Sequence, residues 1–489
     1  MIRPLVTLLA ATSLTACSLA PHYVRPELPV PPSWPVGDAY LQQSEATLPT
    51  VSYTDVFHDT RLQTIIVRAL ANNRDLRVAA ANIAAARAQY HIQRAELLPE
   101  VDATAGYRFA HNPSASTGSN GTGATTTSRN TNSFTADIGI TSFEIDLFGR
   151  VRSLTTAAQE RYFGTEAAAR ATRLTLVGDI ATTWLTYASD KSLLKIAQDT
   201  AASAQRSVSL TKARLDGGIA PRTDLDQASN VLQTALSDVA QQTTAVAQDV
   251  NALQLLVGAP VDAALLPASI DEAAPTIAEL PAGLDSRVLL RRPDVLQAEY
   301  ELRATNAEIG AARAQLFPRV TLTALLGVAS SALTNLFTGG AFNYSIAPSA
   351  SFPIFRAGAG KATVAQSEAQ RDAALATYEK AIQTAFREVA DGLARRGTIA
   401  EQERAQRALT AAASDNYTLS DARYRGGIDT FLNSLDAQRS LYAARRSLVA
   451  TELTKATNLV TLYRTLGGDS QLEPAPAGPK PANEATPPR

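Results

Sequence analysis

Few residues of this chain have the type and spacing that chemistry requires. Its 489 residues include one cysteine, Cys17, and four histidines, His22, His58, His91 and His111. No two histidines form an HExxH or HxxxH pair, the spacing that sets two imidazoles on one helix face for zinc, so a zinc hydrolase is not expected. Gly358-Ala359-Gly360-Lys361 hints at a phosphate-cradling loop. It fails, because Phe355 stands where the first glycine belongs and Ala362 replaces the Ser/Thr that would hold magnesium. No GxSxG nucleophile elbow occurs. A single thiol excludes a disulfide, a cysteine metal site and a redox pair. No catalytic residue, metal or cofactor is expected, and the chain reads as something other than an enzyme. Its net charge of -1 supplies no basic field for nucleic acid.

The chemistry left to Cys17 is acylation. Arg3 gives a positive start, and residues 5–16 are apolar apart from Thr and Ser, with small residues just before the cysteine. Residues 1–16 therefore read as a secretory signal, too short for a permanent spanning helix. Leu14-Thr15-Ala16-Cys17 resembles a bacterial lipobox. That resemblance implies a diacylglycerol on Cys17 and an N-acyl chain such as palmitate. With Ser18 rather than Asp following, it also implies sorting to the outer membrane. The alternative is an ordinary signal with an incidental cysteine. Residues 17–50 then form a lipidated extended segment, proline-rich over 21–35. Residues 469–489 read as a disordered tail.

The elements behind these sites come in two copies. Arg94-Ala95-Glu96-Leu97-Leu98-Pro99 recurs as Arg313-Ala314-Gln315-Leu316-Phe317-Pro318. Asp146-Leu147-Phe148-Gly149-Arg150 has a weaker echo in Pro353-Ile354-Phe355-Arg356-Ala357-Gly358, and Arg214-Leu215-Asp216-Gly217-Gly218-Ile219 recurs as Arg423-Tyr424-Arg425-Gly426-Gly427-Ile428. The order is the same in both halves, as an internal repeat requires. Each half reads helix, two strands, long helix, turn, helix. Residues 51–258 make the first repeat, 259–285 an equatorial linker and 286–468 the second repeat.

The strands alternate. Val101, Ala103, Ala105, Tyr107 and Phe109 share one face, as do Phe134, Ala136, Ile138 and Ile140. In the second half Val320, Leu322, Ala324, Leu326 and Val328 match Phe342, Tyr344 and Ile346. Runs of about 9–11 residues suit a tilted transmembrane strand. A soluble, half-buried sheet alternates in the same way. Four strands cannot close a pore and an open edge cannot face lipid, so the chain must borrow strands from copies of itself, and three copies give twelve. Polar loops at 111–132 and 329–341 join the strands. The long helices, 151–214 and 361–423, lack proline and could each reach roughly 95 Å. Shorter helices at 223–256 and 286–316, the latter with Pro293 near its start, would match one long helix end to end. The linker would then bulge at mid-height. A helical barrel continuing the β-barrel fits this pattern; a bundle or coiled-coil stalk without a lumen is the alternative.

Several stretches resemble the TolC-like outer-membrane efflux proteins, in particular the OprM/NodT-type lipoprotein branch. They are Tyr53-Thr54-Asp55-Val56-Phe57-His58-Asp59, Phe143-Glu144-Ile145-Asp146-Leu147-Phe148-Gly149-Arg150, Leu289-Leu290-Arg291-Arg292-Pro293-Asp294-Val295, and Tyr424 through Arg439. Phe355-Arg356-Ala357-Gly358 departs from the family's usual Phe-Asp-Gly-Gly. The resemblance implies a mixed α and β membrane protein: a homotrimer with a twelve-stranded barrel, four strands per chain, continued by a periplasmic α-helical barrel. It implies an exit duct for drugs or other small solutes, fed by an inner-membrane pump of the resistance-nodulation-division type through a periplasmic adaptor. A type I protein-secretion duct shares the architecture, and a non-transporting lipoprotein stalk or adhesin is a third reading.

Gly217, Gly218, Gly426 and Gly427 are expected to mark the periplasmic tip turns, with Leu215 and Arg423 as tip residues open to an adaptor. Arg291, Arg292 and Asp294 are expected to cap a helix and form inter-helix ion pairs. Leu432 and Asp436 are four apart and so share a helix face. By resemblance that face is the gate, with Arg425, Arg439, Asp224 and Asp226 as candidate tethers. An exposed pair between Asp436 and Arg439 is the plainer reading.

Overall fold

The computed structural model describes residues 19–40, 52–112, 129–278 and 286–468. Cys17, the signal, the 113–128 stretch of the first polar loop and the tail lie outside the described residues. In chain order the elements are α1 (Thr60–Asn72), α2 (Arg74–Ala95), β1 (Asp102–Asn112), β2 (Arg129–Glu144), α3 (Arg150–Asp216), α4 (Arg222–Val257), α5 (Pro293–Ala314), β3 (Arg319–Ser330), β4 (Phe342–Ser351), α6 (Ala359–Arg425) and α7 (Phe431–Thr465).

The repeat is written into these lengths. α2 and α5 have 22 residues each, α3 and α6 have 67 each, and α4 and α7 have 36 and 35. Alanine-rich, proline-free sequence sustains the long helices. The expected helix over 286–316 is divided. A 3₁₀ stretch covers Ser286–Arg291 and the α-helix begins at Pro293, because proline has no N–H for an upstream turn but suits a first helical position.

The chain forms two compact units. One comprises residues 1–25, 85–163 and 300–376, the other 26–84, 164–299 and 377–489. The first holds a four-stranded antiparallel sheet in the order β1-β2-β3-β4. β1 pairs with β2 from Asp102↔Gly139 to Asn112↔Arg129, β2 with β3 from Phe134↔Ser330 to Glu144↔Thr321, and β3 with β4 from Arg319↔Ser351 to Val328↔Phe342. A register shift interrupts the β2–β3 ladder between Ile140 and Phe143. With 16 residues β2 is longer than expected, since the ladder continues through Asn130 and His111.

The second unit holds the largest apolar core. Trp184, Ile180 and Leu185 of α3, Leu62 and Ile66 of α1, Leu253 of α4, and Leu462 and Tyr463 of α7 are all buried there. The linker joins this core through Ile270, Ala273 and Ile277. It is pinned by the indole N–H of Trp184, which donates to the Leu265 carbonyl at 3.1 Å, and by bonds from His58 N–H to Thr276 O and from Ala278 N–H to Val56 O. Residues 258–278 thus form a packed segment of the core. In the N-terminal segment, Trp34 is buried and stacks on Phe386 at 4.8 Å.

Candidate functional site

Two parts of the molecule have the makings of a site: the sheet and the hairpin tips. On the sheet, one face carries the apolar side chains and nothing among the described residues covers it. Tyr107 is 61% exposed, Ile138 51%, Leu326 48%, Phe342 63%, Tyr344 71% and Ile346 70%. Aromatic rings gather near one end of the strands, with Tyr107 against Phe134 at 4.8 Å and Phe342 near Tyr344 at 6.5 Å. At the other end Phe148 stacks on Phe317 at 4.7 Å. There the Glu144 carboxylate accepts from both Arg150 (2.8 Å) and Arg319 (2.7 Å), and Arg152 reaches Asp146 at 3.3 Å. Among the described residues, β1 and β4 each have a strand partner on one side only.

The tips have the geometry expected of the Gly-Gly pairs. After α3, Gly217 N–H donates to Ala213 O, Gly218 N–H to Leu215 O and Ile219 N–H to Arg214 O; after α6, Gly426, Gly427 and Ile428 repeat the pattern on Ala422, Tyr424 and Arg423. Gly218 has φ +75° and Gly427 +73°, the left-handed backbone that glycine adopts without strain and that closes a helix on its own carbonyls. Leu215 is half-buried, and Arg423 is exposed but engaged, reaching Asp429 at 3.2 Å. Asp429 also accepts from the Thr430 N–H and from Asn433; these bonds hold its carboxyl below the ordinary range.

Sequence reasoning missed the residue that joins the two tips. The Arg214 guanidinium lies over the Tyr424 ring at 4.3 Å and donates to the carbonyls of Tyr424 (3.1 Å) and Arg425 (3.3 Å). A cation here complements the negative end of α6. The signal was available, because Arg214 and Arg423 occupy matching repeat positions, and six residues on Arg423 has Asp429 where Arg214 has Ala220. Below the tip, Tyr417 bonds Ser203 at 2.8 Å, and Asp238 accepts from Tyr442 and pairs with Arg446 at 3.6 Å.

Leu432 and Asp436 do share the exposed face of α7, at 52% and 63% exposure, opposite buried Phe431, Ser434 and Leu435. Of the candidate tethers, Arg439 stands 4.0 Å from Asp436, an i,i+3 pair. Arg425 pairs with Asp421 at 2.8 Å, and Asp226 lies 3.8 Å from Arg222. Asp224 sits in the first turn of α4. Within one chain Arg425, Arg439 and Asp226 are therefore occupied locally. The Arg292 side chain is buried and binds Asp294 (2.7 Å), Glu388 of α6 (2.9 Å) and the Thr465 carbonyl of α7 (3.0 Å), while Asp294 accepts from the Val295 N–H. Its role is the expected cap and inter-helix tie.

An acidic cluster ties the linker to the helices. Buried Glu452 of α7 accepts from Arg407 and shares a hydrogen bond with Asp271 of the linker; Glu403 binds Arg407 at 2.9 Å and Lys455 at 2.7 Å. Three acids face two bases, so charge balance favours one protonated carboxyl. Burial, reinforced by Asp271, pushes Glu452 up to about 7 from 4.5. A carboxyl raised on folding stabilises fully below its unfolded value and loses that contribution as pH rises through its folded one. Stability should therefore fall between about pH 4.5 and 7. Glu452→Gln, which keeps a donor without titrating, should flatten this limb of a thermal-denaturation series. A variant with the parent's pH profile would show that Glu452 does not control it. Burial and a neighbouring acid likewise raise Asp249 of α4 beside Asp190 of α3.

A membrane-length sheet with a bare apolar face, inserted between helices of a twofold repeat, is the pattern of the outer-membrane channel class. A family model described as outer membrane efflux protein matches residues 65–259 and 284–468, and the chain belongs to that family. It is 43% identical over 474 residues to the probable efflux pump outer membrane protein TtgC of Pseudomonas putida, with 96% of each chain covered. It is 38% identical over 461 residues to the outer membrane protein OprJ of Pseudomonas aeruginosa, covering 94% of this chain and 95% of OprJ. Among solved structures, the open state of the MtrE outer membrane channel of Neisseria gonorrhoeae is similar with a TM-score of 0.81 at 32% identity, over 93% of this chain and 98% of that one.

Proposed function

We propose that this chain is the outer-membrane exit duct of a tripartite efflux pump. Three copies close a twelve-stranded barrel in the outer membrane, and their long helices line a periplasmic tunnel. Small solutes arrive from an inner-membrane pump of the resistance-nodulation-division type through a periplasmic adaptor. The observation that carries this reading is the bare apolar face of a sheet with two open edges. A soluble half-buried sheet would cover that face. In lipid it needs no cover, but the unpaired backbone of β1 and β4 must find partners. Phe342 and Phe352 are ten residues apart, about 33 Å along a strand and about 25 Å at barrel tilt, the height of the apolar band. The efflux names of TtgC and its relatives support efflux over protein export. The duct supplies a path and performs no reaction.

Residues 51–258 and 286–468 are the two repeats, tied by the 259–285 linker. Purified protein should run as a trimer and form conducting pores in planar bilayers. Trimers that insert without conducting would leave the stalk reading. A strain lacking the chain should accumulate the solutes its pump expels.

Cys17 carries the lipid in this reading, as a second attachment beside the barrel. Each buried CH₂ of an acyl chain contributes about 0.8 kcal/mol, whereas the closed barrel inserts by itself. Cys17→Ala behind a non-lipoprotein signal should still give membrane-inserted trimer. Recovery only as soluble monomer would mean the lipid is required.

A further inference from the structure

We propose that neighbouring copies are clasped at the periplasmic base of the barrel by a contact that repeats one inside the chain. Phe352, Ile354 and Phe355 of one copy pack on Leu98 and Val101 of the next, and Arg356 pairs with Glu100 of that copy. The inference rests on the trimeric reading above and names the residues that make it.

Inside the chain, the exit of β2 docks on the entry of β3. Ile145 N–H donates to Val320 O at 2.9 Å, Phe148 stacks on Phe317 at 4.7 Å, and Glu144 binds Arg319 at 2.7 Å. Phe143, Ile145 and Phe148 are half-buried as a result. Both sides of this contact recur in sequence. Ser142-Phe143-Glu144-Ile145 returns as Ser351-Phe352-Pro353-Ile354 and, with the two residues Asp146-Leu147 lacking a counterpart, Phe148 as Phe355; Leu98-Pro99-Glu100-Val101 leads up to β1 as Phe317-Pro318-Arg319-Val320 leads into the start of β3. The second set lies beside the two open edges and is bare. Phe352 is 56% exposed, Ile354 91%, Phe355 86%, Leu98 72% and Val101 62%.

Two open edges carrying the two halves of one contact are satisfied by a head-to-tail ring, because a heterologous interface that closes leaves neither half over. Laying the internal contact onto the edges of two copies sets the Ile354 N–H against the Val101 carbonyl and Phe355 over Leu98. One charge follows the mapping with its sign exchanged, while Pro353 stands where Glu144 stood. Glu100 stands where Arg319 stood, so the internal carboxylate–guanidinium pair needs its cation from the other side. Arg356, in place of Gly149, supplies it. Glu100 and Arg356 are exposed, and neither has an ion partner among the described residues of the chain. Arg356 lines a cavity of about 380 Å³ with Arg150, Arg319, Glu144 and Asp146, but Glu144 is already shared by Arg150 and Arg319 and Asp146 is paired with Arg152, so both carboxylates there are taken. A lipid tail would cover the apolar patch but would leave both charges unmatched; the next copy answers both.

The test uses the full-length protein in outer membranes. Leu98→Cys/Phe355→Cys should give covalent dimers and trimers on mild oxidation, reversed by reductant. Either single variant, and the parent, whose one cysteine Cys17 carries the lipid in this reading, should give none. Arg356→Glu and Glu100→Arg should each lower the temperature at which the trimer dissociates in detergent, and the double exchange should recover most of the loss. Trimers that form normally without inter-copy crosslinks, or a double exchange no better than the worse single variant, would overturn the clasp and leave the trimer standing. A parent protein that light scattering shows to be monomeric would overturn the trimeric reading itself.

Discussion

Replacing Trp184 with alanine is expected to remove about 3–5 kcal/mol of stability, the cost of emptying a buried aromatic site. Trp184 is fully buried at the centre of the largest core, and its indole N–H holds the linker through Leu265. Truncation leaves a cavity among α3, α1 and α7 and removes the donor from a partly buried carbonyl, a smaller loss of about 1 kcal/mol. The loss is larger than that expected from any exposed ion pair, which contributes about 1 kcal/mol or less. Chemical denaturation of the detergent-solubilised protein measures it. Trp184→Phe, which keeps most of the ring volume and loses only the N–H, should recover the larger part. If both variants unfold together with the parent, the linker is not held through this residue.

The largest functional change is expected from Leu432→Ala combined with Asp436→Ala. Both side chains are exposed on one face of α7, just past the turn at Gly427. Around a threefold axis they would make an apolar ring and an acidic ring. A narrow apolar ring blocks by dewetting and carboxylates favour cations. Removing both should raise single-channel conductance severalfold and reduce cation preference without loss of trimer. It should also sensitise cells to antibiotics too large for the closed duct. Because Asp436 and Arg439 lie 4.0 Å apart on the surface, the competing expectation is a pair worth a few tenths of a kcal/mol and no change in conductance. Arg214→Ala offers an independent approach. It removes the tie to Tyr424 and the α6 terminus, so it should loosen the same tip while leaving the α7 face intact. Parental conductance and selectivity in the double variant would place the gate elsewhere.

Local signals in the sequence were enough for much of this. Gly217-Gly218 and Gly426-Gly427 announced two helix ends, because left-handed backbone after a long helix is a property of the residue itself. Alternation gave four strands to within a few residues, and the recurrence of short motifs gave the twofold plan, now visible as paired helices of equal length. Alternation could not say which environment meets the apolar face, since lipid and a protein layer select the same pattern. The assembled sheet adds that Tyr344 and Ile346 are left bare within the chain, the observation on which the proposed membrane reading rests.

What the sequence determined by itself is whatever depends on neighbours along the chain: periodicity, caps, turns and the repeat. What only the tertiary structure decided is whatever depends on residues brought together from afar. Arg214 and Tyr424 meet across 210 positions, and Glu452 meets Asp271 of a linker that reads as a loop. Trp184 finds its acceptor 81 residues away. The physical reason is that a backbone conformation is set by local sterics and hydrogen bonding, whereas the partner of a charge or a ring is chosen by packing, and packing is a property of the whole chain.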